Sequence, residues 1–372
     1  MKIGIITLPL HYNYGGILQA YALQRYLRHL GHDVEHIEVK SNKYLLPISV
    51  RYLVYLKRAI LKYILRKDII VFREKFIHDT NFLVTKYTSR FVKDNMNVRY
   101  VNSFDEIQEY EYDAYVVGSD QIWRSEYICR NNNFAPFLDF AKDWQVKRIA
   151  YACSFAKDDW CYSRLATVNC KELLSKFDVV TVREKAAIAL CKRYLDTKAE
   201  LVIDPTMLLS QKDYDVLVDN ANTRTCNGDL MCYVLDETME KLQFIKEVAS
   251  KRNLIAFNTN AKVEKYSEKI FNRIQPPVEQ WLRSFKEAEL VITDSFHACV
   301  FSIIYNKPFI CFGNQHRGNS RFISLLSMFG QGYRLLESFN SSIISPKAFE
   351  KPNINLKGYR DKINNLFSKV LV

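Results

Sequence analysis

The chain has 372 residues, 48% hydrophobic and 25% charged, which excludes a disordered or collagen-like polymer and gives enough length for two domains. Lys and Arg number 53 against 41 Asp and Glu, a net charge of +12, and residues 41–100 alone hold 13 basic and 4 acidic residues. A surplus gathered in one segment points to an anionic partner such as a lipid surface or a phosphate-bearing substrate; no zinc-finger spacing, RNP-like motif or basic run supports nucleic acid.

Residues 2–7 form a short β-branched run, followed by a loop with Pro9 and the pair Gly15-Gly16. Ile17, Leu18, Tyr21, Leu23, Leu27 and Leu30 then recur at helical spacing as far as Gly31, and residues 33–39 return to strand character. The same alternation predicts strands at 112–117, 148–153, 178–182 and 201–203. After Asp204-Pro205 a second series begins, with strands at 230–235, 253–257, 290–293 and 309–312 and helices near 237–251 and 278–287. Strands that alternate with helices imply parallel sheets covered on both faces. The expected architecture is α/β, with two Rossmann-like domains facing across a cleft. Residues 1–205 form the first domain, carrying a basic helical insertion at about 41–100; 206–340 form the second, and the tail 341–372 packs back on the first.

On a helix within the basic segment, Arg51, Arg58, Lys62 and Arg66 share one arc and Leu53, Leu56, Ile60, Tyr63 and Ile64 lie opposite. Two accounts fit: the apolar face rests on the core with the cations solvated, or the helix meets an anionic membrane surface. The nine cysteines lack CxxC spacing and several, such as Cys232, Cys299 and Cys311, sit in apolar runs, so they read as buried thiols. Near the start, His11, Asn13, Gly15, Gly16 and Gln19 interrupt the apolar block too soon for a signal peptide or a membrane span. A cytoplasmic protein is expected, peripheral on the inner face of the membrane if the basic helix docks there.

In open parallel sheets ligands bind beyond the carboxyl ends of the strands. Here those positions are polar: His11, Asn13, Tyr14, Gly15 and Gly16; Gly118-Ser119-Asp120-Gln121; Ser154; Arg183-Glu184; Asp204; and Thr293-Asp294-Ser295-Phe296-His297. Gly15-Gly16 either lets the backbone approach a ligand at a helix N-terminus or makes a turn needing positive φ. Ser119 or Asp120 either caps the next helix or meets substrate hydroxyls, with Asp120 as a base. Arg183 suits a bidentate grip on phosphate or carboxylate, the alternative being an ion pair with Glu184 or Asp204. With Asp294 or Ser295 as a cap, His297 falls in the first turn of a helix, where a neutral imidazole is favoured and can move a proton. Arg317 and Arg321 either complete an anion pocket or stand solvated.

Asn13-Tyr14-Gly15-Gly16 with Gln19-Ala20, Val117-Gly118-Ser119-Asp120-Gln121-Ile122-Trp123, Tyr151-Ala152-Cys153-Ser154-Phe155, Val182-Arg183-Glu184-Lys185, Asp204-Pro205-Thr206 and Thr293-Asp294-Ser295-Phe296-His297 together resemble the polysaccharide pyruvyl transferase family. The resemblance spans about residues 1–330. It implies a fold like the two-domain GT-B glycosyltransferases and transfer of pyruvate from phosphoenolpyruvate to a sugar of a bacterial surface polysaccharide, giving a cyclic ketal and phosphate. It also implies that Arg183 and His297 belong to the donor site. Several branches carry Arg two residues before that histidine; Ser295 stands there in this chain, so Arg317 or Arg321 is expected to take over phosphate binding.

The expected catalytic set is His297, Arg183 and Asp120, and the donor set Arg183, Ser295, His297, Arg317 and Arg321. The acceptor is expected to meet Asn13, Tyr14, Gly15, Gly16, Gln19, Ser119, Asp120, Gln121 and Ser154. No metal or other cofactor is expected. If the acceptor is a lipid-linked oligosaccharide, the basic helix has a use at the membrane. A nucleotide-sugar glycosyltransferase and a non-catalytic glycan-binding protein stay open as alternatives. Replacing His297 or Arg183 with Ala is expected to abolish turnover and leave the fold intact.

Overall fold

The computed structural model describes the whole chain except residues 41–47, 68, 130–132, 314–317 and 372. Among the described residues the first lobe runs β1 (Lys2–Ile6), α1 (Tyr14–His29), β2 (Asp33–Val39), α2 (Ile48–Tyr63), α3 (Arg73–Val84), α4 (Lys86–Asn95), β3 (Val98–Val101) and β4 (Ala114–Gly118). It continues through α5 (Ser125–Ile128), β5 (Lys147–Cys153), α6 (Arg164–Leu174), β6 (Val179–Val182), α7 (Lys185–Tyr194) and β7 (Glu200–Leu201). These strands pair in parallel in the order β3-β2-β1-β4-β5-β6-β7. Helices cover both faces, and every residue of the central strand β4, Ala-Tyr-Val-Val-Gly, is buried.

The second lobe comprises α8 (Gln211–Asp219), β8 (Leu230–Tyr233), α9 (Met239–Arg252), β9 (Ala256–Phe257), α10 (Ile270–Arg273), α11 (Val278–Glu287) and β10 (Leu290–Thr293). It ends with α12 (Phe296–Ile304), β11 (Phe309–Phe312), α13 (Ser320–Met328) and β12 (Leu335–Leu336). Its sheet is also parallel, in the order β12-β11-β10-β8-β9. The last helix, α14 (Lys357–Val370), returns to the first lobe. There the Phe367 ring lies 6.1 Å from Tyr26 and 5.4 Å from Tyr151, and Arg360 donates to the carbonyls of Met207 at 2.8 Å and Leu209 at 2.6 Å.

Each sheet reverses its winding at one place, between β1 and β4 in the first lobe and between β8 and β10 in the second. Loops leaving neighbouring strands there diverge to opposite faces, which opens a crevice beyond the carboxyl ends. The polar strand-end segments of the sequence all sit at such ends.

Two strands, β3 and β12, were not anticipated. Both are edge strands with one neighbour, and Val98-Arg99-Tyr100-Val101 and Leu335-Leu336 present no continuous apolar run. The orientation of α2 also differs from the account that lays its apolar face on the core. Leu53, Leu56, Ile60, Tyr63 and Ile64 are exposed. Arg58 turns inward instead and makes a paired grip on Glu74 of α3 at 2.7 and 2.8 Å. Arg66 lies past the helix end at φ 48°.

Helices α3 and α4 reach across to the second lobe. Gln275 N donates to Val84 O at 3.0 Å, Arg90 meets Glu279 at 3.4 Å, and the Arg273 guanidinium sits 5.0 Å from the Phe76 ring centre. The nine cysteines are free thiols, with Cys232, Cys299 and Cys311 buried. Among the described residues no helix is long and apolar enough to cross a membrane.

Candidate active site

The two reversal points face one cleft of roughly 780 Å³, large enough for a small anion together with a sugar. Asn13, Gly15, Gly16, Asp120 and Gln121 line it from the first lobe; Tyr233, Leu235, Asn258, Lys262, Gln275, Trp281, Ser295 and His297 line it from the second.

His297 is the second residue of α12, and its side chain is buried. Neither Asp294 nor Ser295 caps that helix through its side chain, contrary to expectation. Asp294 instead accepts from the backbone N–H groups of Leu235 at 2.6 Å and Asp236 at 3.1 Å and from Lys241 Nζ at 2.7 Å, which ties the loop after β8 to the start of α12. The first N–H groups of α12 therefore have no side-chain cap, and Ser295 and His297 beside them line the cleft. His297 Nε2 has no hydrogen-bond partner and lies 3.7 Å from Asp204 Oδ2. Burial lowers the imidazole pKa below its ordinary value; the pull of Asp204 and Asp120 in the other direction is not enough to restore it. At neutral pH the ring is neutral.

Gly15 explains how the ring reaches this place. Neither Gly15 nor Gly16 has positive φ, so a special turn is not their reason. A Cβ on Gly15 would instead overlap the His297 ring, whereas one on Gly16 would make ordinary contacts. The first turn of α1 packs directly on the imidazole across the lobes. Asn13 Oδ1 accepts from Gly15 N at 3.0 Å and Gly16 N at 3.3 Å, so these donors are already capped and are not a free anion site. We expect Gly15→Ala to push the imidazole or α1 out of register. A displacement of about 1 Å at a reacting group costs about 10²-fold in turnover, so a steady-state kcat close to that of the parent would contradict this packing.

Behind His297 lies a charge network assembled from the ends of β4, β6 and β7. Arg183 Nη2 donates to Asp120 Oδ1 at 2.8 Å and Nη1 to Asp204 Oδ2 at 3.0 Å, and Glu184 lies 4.0 Å from its Nε. Asp204 also accepts from Thr206 N at 3.0 Å, Thr206 Oγ1 at 2.7 Å and Ser119 Oγ at 3.4 Å. Two guanidinium groups lie close to the Phe296 ring centre, Arg183 at 4.6 Å and Arg321 at 5.7 Å. Burial lowers the Arg321 pKa to about 10. For Asp120 burial acts upward, but Arg183, with His297 and Arg321, outweighs it and holds the carboxyl at about 2. Asp120 is thus a permanent anion, unsuited to the acid–base role suggested by the sequence. It adopts φ 54°, a left-handed conformation that a non-glycine residue keeps only under tertiary constraint.

Several anticipated site residues stand behind the cleft wall. Arg183 is 1% exposed with both Nη groups engaged, and Arg321 is buried, so neither guanidinium lines the cleft. Tyr14 is buried against the second lobe, where its hydroxyl donates to Pro276 O at 2.7 Å and its ring stacks on Trp281 at 5.2 Å. Gln19 bridges Gly16 O and Ser119 N, Ser119 Oγ donates to Ala152 O, and Ser154 Oγ accepts from Ala156 N at 3.1 Å. Those polar atoms are spent on the scaffold. Ser119 and Asp120 do not cap α5, whose N-cap is Arg124. Arg317 lies outside the described residues.

The structure adds residues that sequence reasoning passed over. Gln275 Oε1 and Trp281 Nε1 are buried, lack a partner and border the cleft; Lys262 follows the carboxyl end of β9. Among the described residues no group of three or more His, Cys, Asp and Glu is arranged to hold a metal ion.

Residues 13–316 match the family model described as polysaccharide pyruvyl transferase. No curated protein matches the chain closely enough in sequence to count as a relative. Among solved structures, the UDP-GlcNAc 2-epimerase from Neisseria meningitidis bound to UDP-GlcNAc is similar at a TM-score of 0.52 and 10% identity, over 99% of this chain and 100% of that one. Arabidopsis thaliana UGT89C1 is similar at 0.45 and 10% identity, over 100% of this chain and 94% of that one. At such identity the epimerase likeness shows the fold alone, the two-lobed GT-B arrangement.

Proposed function

The chain belongs to the polysaccharide pyruvyl transferase family, and from that premise we propose that it moves the pyruvate unit of phosphoenolpyruvate onto two hydroxyls of a sugar in a bacterial surface polysaccharide precursor. The observation that carries the reading is a buried imidazole at the start of α12, where backbone N–H groups without a side-chain cap suit a phosphate. The phosphate would seat at Ser295 and His297, with Lys262 and Arg124 on the cleft wall offsetting the carboxylate. Sugar hydroxyls would meet Asn13, Gln121, Gln275 and Trp281.

Proton addition at C3 of the enol makes C2 an oxocarbenium-like centre that a sugar hydroxyl attacks. His297 accepts the proton of that hydroxyl, and the imidazolium then returns it to the departing phosphate oxygen. A second hydroxyl closes the ketal at C2. The proton that C3 gains comes from water, and the proton of the second hydroxyl returns to water as the ketal closes, so the two exchanges balance and phosphate leaves with the proton of the first hydroxyl. Arg183, fixed between Asp120 and Asp204, acts as a positioning group that holds the strand ends behind the reacting centre.

Phosphate release is expected only when phosphoenolpyruvate and a sugar acceptor are both present, with the ketal detected by mass spectrometry. Nucleotide release from a nucleotide-sugar in place of phosphate would identify a glycosyltransferase, and binding without release of either would identify a glycan-binding protein.

A further inference from the structure

The exposed face of α2 is apolar where a soluble surface is usually polar. Tyr52 is 74% exposed, Leu53 69%, Leu56 60% and Tyr63 73%, with Ile60 and Ile64 completing the stripe. The opposite side is held down by the Arg58–Glu74 grip and by the Tyr55 ring 4.9 Å from Phe72, so the stripe is presented rather than loosely folded out. Exposed Lys57, Lys62, Arg66 and Lys67 flank it, and residues 48–67 contain no acidic side chain.

We infer that this face is an interfacial helix that seats the protein on an anionic lipid bilayer, the apolar stripe entering the headgroup boundary and the flanking cations meeting lipid phosphates. The length of 16 residues and the flanking charges suit a helix that lies in the plane of the interface rather than across it. A second copy of the chain is a poorer occupant, because two such helices would bring like charges together over the whole contact. A groove of roughly 570 Å³ runs beside the stripe, between Lys57, Leu61 and Arg73 on one bank and Glu264, Lys265 and Tyr266 on the other. Glu264 and Lys265 also border the central cleft, so the lipid-facing helix and the cleft mouth share one edge. The inference goes beyond the reaction proposed above, and its readout does not involve turnover.

Co-sedimentation of the full chain with phosphatidylglycerol–phosphatidylcholine vesicles, compared with phosphatidylcholine alone, tests it. Partitioning is expected only with the anionic vesicles, weakening as salt rises. It should fall about tenfold or more in Leu53→Glu/Leu56→Glu, and comparably in Lys57→Gln/Lys62→Gln. The second pair keeps the test decisive if the first fails to fold. Equal partitioning of folded variants and parent, or no preference for anionic vesicles, overturns the inference. So does sedimentation velocity showing that the parent is a dimer which these changes dissociate while vesicle binding is unaltered.

Discussion

We expect His297→Gln to lower kcat by about 10²–10⁴-fold, the range for loss of a positioned proton carrier, and to leave the melting temperature close to that of the parent. Gln approximates the size of the imidazole and keeps α12 packed, so the loss reports on chemistry. The pH profile supplies the sharper test. Because burial disfavours the charged ring, the folded imidazole titrates below its ordinary 6.5, and the acid limb of kcat/KM falls below that value. The same shift has a stability consequence. The unfolded chain binds a proton that the folded ring resists, so the contribution of His297 is fully present above pH 6.5 and is lost as pH falls below it towards the depressed value. The variant should lack this part of the acid sensitivity in denaturant titrations. A variant retaining a tenth or more of the parent kcat, or the parent's acid limb, rules out the imidazole as the proton carrier.

The second large effect concerns Arg183, and it departs from the expectation of an inactive but intact fold. Arg183→Ala leaves Asp120, Asp204 and Glu184 buried without their shared counter-charge. Removing one partner of a buried pair costs about 3–5 kcal/mol, which in a chain of this size lowers the melting temperature by about 4–6 °C. Its pH dependence follows from Asp120, held at about 2 against an ordinary 3.8. That carboxyl contributes stability present above its unfolded pKa and lost as pH falls towards about 2. Parent and variant therefore differ most above about pH 4 and converge in acid. Melting curves that coincide above pH 4, within about 2 °C, would show that the network carries no stability and that Arg183 serves some other end.

How much of this was legible in the sequence depends on the range of the interaction. Helix α1 with Gly31 just past its end, the apolar strands, and polar strand ends facing a cleft all follow from local spacing plus one topological rule. The Arg183 network does not, because Asp120 and Asp204 stand 63 and 21 residues from Arg183 and meet it only when β4, β6 and β7 are assembled. Periodicity likewise showed which residues of α2 share a face but not which face turns outward; that was decided by Glu74 of the next helix. For Gly15 the positive-φ turn does not hold, and its contact with His297 was not legible because that neighbour comes from the other lobe. Tyr14, Gln19, Ser119 and Ser154 looked like ligand contacts because a polar side chain at a strand end reads the same whether it faces solvent or braces the loop beside it.

The return of α14 to the first lobe means that the polypeptide crosses between lobes twice, once after β7 and again before Lys357. A body tethered to another at two separate points keeps one easy rotation, about the line joining the tethers, and resists twisting about any other. The molecule is therefore bound like a book with two stitches, which hold the imidazole of one page opposite the same spot on the facing page.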